Sequence, residues 1–177
     1  MSFADQATTP DQARIADALP SLLEGRSRIL HVGVGNSELA ATLANRVAHI
    51  EGITVVPDEL AAAVALKLAN YHVTLLNKHS PRLAQLPSPF DVIIDNNPGS
   101  FACCQLHFGR TLQTYASMLA PQGHIMTDER GARWRQRGGL SLRWKGWVAW
   151  GERYNLVAKR VTDSVWSLGL ANPSPIR

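Results

Sequence analysis

Several stretches of this 177-residue chain have the residue types and spacing to do chemistry. In "RILHVGVGNSELAAT", residues 28–42, Gly33 and Gly35 stand between an apolar run and a helical one. Neither has a Cβ, so the backbone can bend sharply there and pass close to a ligand, its amides and carbonyls facing it. In "DVIIDNNPGSFACC", residues 91–104, an apolar run ends on Asp95, Asn96 and Asn97. A carboxylate and an amide at a strand end can orient a proton-bearing group, which makes Asp95 and Asn96 candidate catalytic residues. A plain helix entry, with Ser100 capping a helix that begins at Phe101, accounts for Pro98, Gly99 and Ser100 but not for the asparagines. Further along, Cys103 and Cys104 lie four and three residues before His107. Three donors fall short of the four a structural zinc site uses, so no metal is expected and the thiols read as small buried hydrophobes. His107 is the candidate base, and Tyr115 reads as core.

The segment "ERGARWRQRGGLSLRWKGWVAWGER", residues 129–153, interleaves Arg130, Arg133, Arg135, Arg137, Arg143, Lys145 and Arg153 with Trp134, Trp144, Trp147 and Trp150. Guanidinium groups bind phosphate or carboxylate, and indoles offer stacking faces. Three readings stay open: a helix whose tryptophans pack on a sheet, a lid over an anionic small molecule, and a nucleic-acid surface.

These residues need elements to position them. Residues 10–19 read as a short amphipathic helix started by Pro10-Asp11. From residue 28 strands and helices alternate: strand 28–34, helix 37–48 capped by Ser37, strand 49–56, helix 57–70, strand 72–77, strand 89–96, helix 101–120 and strand 123–128. A basic loop over 129–142, a helix over 143–154 and two strands separated by "TD" complete the chain. Such alternation predicts an α/β fold with a doubly wound, mostly parallel seven-stranded sheet, helices on both faces and a C-terminal antiparallel hairpin. Ligands then lie beyond the C-terminal strand ends, where strand order reverses. The expected organisation is an N-terminal helical extension over 1–27 and a single domain over 28–177.

The composition, 45% hydrophobic and 18% charged, is that of an ordinary globular chain. No apolar run approaches the roughly 20 residues of a membrane span, so no membrane partner is expected. The N-terminal residues show no secretory signal, and two adjacent cysteines make no disulfide framework, so a cytoplasmic location is the expectation.

The ordered series "HVGVGNS", helix, "GITVVPDEL", helix, "FDVIIDN", helix, "LAPQGHIMTD", helix and hairpin resembles the class I S-adenosylmethionine-dependent methyltransferases over residues 28 to about 170. The resemblance implies a Rossmann-like domain with S-adenosyl-L-methionine as cofactor. It implies that His31, Gly33, Gly35 and Asn36 meet the methionine part, Thr54 the ribose, and Asn77 the adenine amine. This chain departs from the family at Thr54, where an acid is usual; Glu51 or Asp58 could stand in. It departs again at His31, where an acid is often found, and at Ser37, where a third glycine is. A dinucleotide turn is disfavoured, because the third glycine of G-x-G-x-x-G is Glu38 here. The activity implied is methyl transfer to a small acceptor, an anionic one suiting the arginines. The alternatives are a catalytically silent S-adenosylmethionine-binding module or partner subunit, and a nucleic-acid methyltransferase.

Overall fold

The computed structural model describes residues 2–134 and 140–171. Seven strands form one sheet: β1 (Arg28–Val32), β2 (His49–Thr54), β3 (Tyr71–Leu75), β4 (Phe90–Asp95), β5 (Leu119–Asp128), β6 (Leu156–Arg160) and β7 (Val165–Leu170). Their spatial order is β3-β2-β1-β4-β5-β7-β6. The first five are parallel, and β7 runs antiparallel between β5 and β6. The expected sheet and hairpin are therefore present. Strand order reverses between β1 and β4, where Val32 lies opposite both Ile53 and Asp95.

The central strands are apolar on both faces, as a sheet covered by helices requires. Alternation of period two divides them between two cores. Leu30 and Ile93 face one core, with Phe108, Leu112, Tyr115, Trp147 and Trp166. Ile29, Val92 and Ile94 face the other, with Ile15, Leu19 and Leu43. The helices are α1 (Pro10–Ala18), α2 (Glu38–Leu43), α3 (Pro57–Ala65), α4 (Gln105–Met118), α5 (Glu129–Arg133) and α6 (Trp144–Arg153). Helix α1 contributes Ile15 and Ala18 to the second core. Its Arg14 forks onto the fully buried Asp128 carboxylate through two 2.8 Å hydrogen bonds, which ties the N-terminal segment to the end of β5.

Several boundaries differ from the sequence reading, each for a local reason. Helix α2 stops at Leu43, and the Asn70 side-chain amide donates to the Ala44 carbonyl, which a longer helix would have used itself, and to that of Val47. Helix α3 ends where Lys67 turns left-handed, at φ 52°. Ser37 does not cap α2: it sits at φ 60° with its hydroxyl 3.0 Å from that of Tyr71, and the Asn36 side chain accepts from the Glu38 amide instead. Helix α4 begins at Gln105 rather than Phe101. Ser100 donates to the Asn97 carbonyl instead of capping, and Phe101 is left-handed. Part of the expected basic loop is helix α5, capped by the Asp128 side chain. Arg135 and Arg137 lie outside the described residues.

Candidate functional site

A cavity of about 620 Å³ opens beyond the C-terminal ends of β1, β2 and β4, at the point of strand reversal. Its volume falls within the roughly 300–1,000 Å³ of small-molecule sites.

The glycine turn forms one wall. Gly33 and Gly35 have φ of 77° and 53°, which glycine adopts without the Cβ clash other residues suffer. Beyond its own chain neighbours, a Cβ built on Gly33 would meet none of the described residues within 4 Å, so the space beside that backbone is open. The Asn36 amide donates to the Gln6 carbonyl at 2.9 Å and to the Thr8 hydroxyl at 3.1 Å, drawing the N-terminal segment over the turn. Phe3, Gln6, Thr9, Asp11 and Gln12 consequently line the cavity.

Strand β2 delivers Thr54 to the opposite wall. Its hydroxyl donates to Glu59 Oε2 at 2.6 Å, and the Phe3 amide donates to Glu59 Oε1 at 3.1 Å. Glu59 is buried and lines the cavity. Of the acids that could stand in for Thr54, Asp58 is exposed and Glu51 is turned to His49 and Thr74. The acid at the strand end is instead supplied from α3. A signal for it existed: Glu59 is the third residue of a proline-started helix, a position where a glutamate side chain commonly turns back toward the helix N-terminus.

A buried ion pair forms the floor. Lys78 Nζ donates to Asp95 Oδ1 and Oδ2 at 3.1 and 2.9 Å and to the Asn97 carbonyl at 2.6 Å. The Tyr115 hydroxyl donates to Asp95 Oδ2 at 2.9 Å, and the Asn97 amide donates to Oδ1 at 3.2 Å. Both oxygens of Asp95 are thus fully engaged. Burial lowers the Lys78 amine against the opposing pull of Asp95, and burial together with the Asp95 charge raises the Tyr115 hydroxyl. Nearby, a ring nitrogen of His79 pairs with the Thr111 hydroxyl at 2.7 Å and the other with the Ser100 carbonyl at 3.1 Å. No local pattern announces Lys78 and His79, because their partners lie 17 to 32 residues away.

The remaining wall comes from the loops after β4 and β5. The Asn96 side chain donates to Asp11 Oδ2 at 2.5 Å, and the Asn96 carbonyl accepts from Thr127. Helix α5 passes so close that a Cβ on Gly131 would lie 2.0 Å from the Asn96 carbonyl oxygen. Arg130, Trp134 and Phe101 are exposed at the mouth.

The fold brings most of the expected site residues to this cavity: Gly33, Gly35, Asn36, Thr54, Asn77, Asp95 and Asn96 all line it. His31 and His107 are not among its lining residues. His31 is buried within β1, its Nδ1 has no partner among the described residues, and burial pulls its pKa down to about 4. His107 lies in the first turn of α4 beside two cysteines that, contrary to the expectation of buried thiols, are both exposed. Tyr115 is buried as expected, yet its hydroxyl serves the ion pair. Trp147 is fully buried, Trp144 meets Trp166 edge-on at 5.5 Å and Trp150 stacks on Tyr154, whereas Arg143, Lys145 and Arg153 face solvent. Those three indoles are packing groups of the core, Trp150 meeting Phe108 of α4 at 4.9 Å.

No protein-family model matches the sequence, and no curated protein matches it. Solved structures do. The N-methyltransferase NodS from Bradyrhizobium japonicum is 15% identical, with a TM-score of 0.68 over 94% of this chain and 98% of its own. CalS10, an amino pentose methyltransferase from Micromonospora echinaspora solved with S-adenosylmethionine bound, is 14% identical, with a TM-score of 0.66 over 95% and 91%. An rRNA methylase from Streptococcus thermophilus is 13% identical, with a TM-score of 0.57 over 93% and 98%. The fold is that of the class I S-adenosylmethionine-dependent methyltransferases, and it carries acceptors as different as a sugar and an RNA. No helix among the described residues is long and apolar enough to cross a membrane.

Proposed function

We propose that this protein is an S-adenosylmethionine-dependent methyltransferase acting on a small-molecule acceptor. The observation that carries the reading is the cavity at the strand reversal, open beside the Gly33 backbone and furnished on the far side with the Thr54–Glu59 pair. Bound there, S-adenosylmethionine supplies an activated methyl group on a sulfonium. The open glycine backbone suits its amino-acid end. Glu59 and Thr54 suit its ribose hydroxyls, and Asn77 its adenine amine.

Transfer from a sulfonium needs chiefly an acceptor held in line, so the protein's work is positioning. Lys78, Tyr115 and the Asn97 amide hold Asp95 rigidly at the end of β4. Asp95 acts by fixing Asn97, Asn96 is held by Asp11 and Thr127, and Asn96 with Asp11 faces the acceptor. No histidine, cysteine or tyrosine is among the described lining residues. The carboxylates that line the cavity, Asp11, Glu59 and Asp95, already accept from Asn96, Thr54 and Lys78, so an amine with a free lone pair suits such a wall better than a hydroxyl that needs a base. NodS, an N-methyltransferase, is consistent with this choice. Arg130 and Trp134 at the mouth suit an anionic or planar part of the same acceptor.

A second reading, a silent cofactor-binding module, is favoured by the full engagement of Asp95. Titration calorimetry with S-adenosylmethionine and S-adenosylhomocysteine, followed by transfer of labelled methyl to a panel of small amines, separates the two. Failure to bind either nucleoside would remove both readings. Binding without transfer to any acceptor, RNA included, would favour the silent one.

A further inference from the structure

Outside the cavity, one side-chain cluster has no assigned task. Cys103 and Cys104 are exposed, and His107 stands half-buried one turn along, in the first turn of α4. Their donor atoms all lie within 4.8 Å of one another. Cys104 Sγ is 3.8 Å from Cys103 Sγ and 3.6 Å from His107 Nδ1, and Cys103 Sγ is 2.7 Å from His107 Nδ1.

These separations can be set against metal geometry. With Zn–S of about 2.3 Å and Zn–N of about 2.0–2.1 Å, a tetrahedral ion spaces two sulfurs by about 3.8 Å and a sulfur and a nitrogen by about 3.6 Å. Two of the three edges of the cluster match. The third must open by about 0.9 Å, which rotation of an exposed cysteine side chain supplies. The spacing explains the convergence. Cys104 precedes the helix with extended backbone at φ −163°, and His107 is the third helical residue. The extended residue before the helix turns both thiols back onto the first helical turn, beside His107.

We propose that Cys103, Cys104 and His107 bind one thiophilic divalent cation of the zinc class through two thiolates and an imidazole Nδ1. The cluster offers three protein donors, so the fourth position is left to water or a small ligand, unlike a closed structural site. Binding releases the thiol protons and involves no electron transfer. The same loop carries Ser100 and Phe101 to the cavity wall, so a bound cation would fasten that loop to α4.

The test uses the full-length reduced protein titrated with cobalt(II), and zinc in competition with a chromophoric chelator. One equivalent should bind, with a thiolate-to-cobalt charge-transfer band and tetrahedral visible bands. The bands should vanish in C103S/C104S, and H107A should weaken zinc binding by at least about tenfold. No bands, or bands that survive in C103S/C104S, would overturn the proposal. A second measurement needs no variant. These are the chain's two cysteines, so equimolar zinc should slow alkylation of both, and a chelator should restore it. Full alkylation in the presence of zinc would also overturn the site. Either failure leaves the methyl-donor cavity untouched.

Discussion

The Thr54 hydroxyl donates to Glu59 Oε2 at 2.6 Å, so a threonine at the end of β2 is backed by a carboxylate from the first turn of α3. The carboxylate's other oxygen accepts the Phe3 amide. One acidic group therefore serves both the cavity wall and the N-terminal segment that covers it.

If Glu59 accepts from the ribose, E59Q should weaken S-adenosylmethionine binding by about tenfold to a hundredfold, the range of a hydrogen bond to a charged group at about 1.5–3 kcal/mol. T54V should cost less. Calorimetry reads both, and unchanged affinity in E59Q would assign the ribose to another acceptor.

Gly33 offers a test in which folding and binding come apart. Beyond its own chain neighbours, an alanine at φ 77° meets none of the described residues within 4 Å, so G33A should lose only about 1–2 kcal/mol of stability to the left-handed backbone. A nucleoside seated against that backbone would meet the new methyl directly. Binding should fall far more than thermal stability does; a variant that binds normally would move the cofactor elsewhere in the cavity.

Lys78 and Asp95 are both nearly excluded from solvent. K78M leaves a buried carboxylate without its cation and should cost about 3–5 kcal/mol in urea denaturation. Y115F, which removes one hydrogen bond to that carboxylate, should cost about 1.5–3 kcal/mol. K78M/D95N should be more stable than K78M alone, because the uncompensated charge has gone. Equal stability of the two would mean that the pair contributes little.

His31 sets an acid-side limit. Burial pulls its pKa from 6.5 to about 4, so as pH falls the unfolded chain takes up the proton first. The stability contributed by the neutral ring is complete above about pH 6.5 and is lost as pH falls through about 4, by roughly 3 kcal/mol in all. The stability difference between wild type and H31L should shrink by about that amount from pH 7 to pH 4. A difference independent of pH would show that the ring is not held neutral.

The cluster at the start of α4 and the floor of the cavity differ in what sequence could say of them. Cys103 and Cys104 stand four and three residues before His107, at the entry to α4, so their proximity was legible locally. Their exposure was not, because it depends on where the helix begins, and left-handed Phe101 delays that start to Gln105. The Trp144, Trp147 and Trp150 stripe was likewise visible as a face, while the packing of Trp144 against Trp166 depended on where the hairpin lay.

What the sequence determined by itself was everything carried by short-range pattern. Apolar runs alternating with helical spacing specify the parallel sheet, the terminal hairpin and the place where the strand order turns. The glycine pair and the polar end of β4 then fall at that point, since strand ends and the loops after them are local features. The tertiary structure alone decided which polar groups meet there. Asp11 reaches Asn96 across 85 residues, Lys78 reaches Asp95 across 17, and the Phe3 amide reaches Glu59 across 56. Such partnerships leave no periodic trace, because buried polar groups take whichever complementary group the packing brings within hydrogen-bond distance.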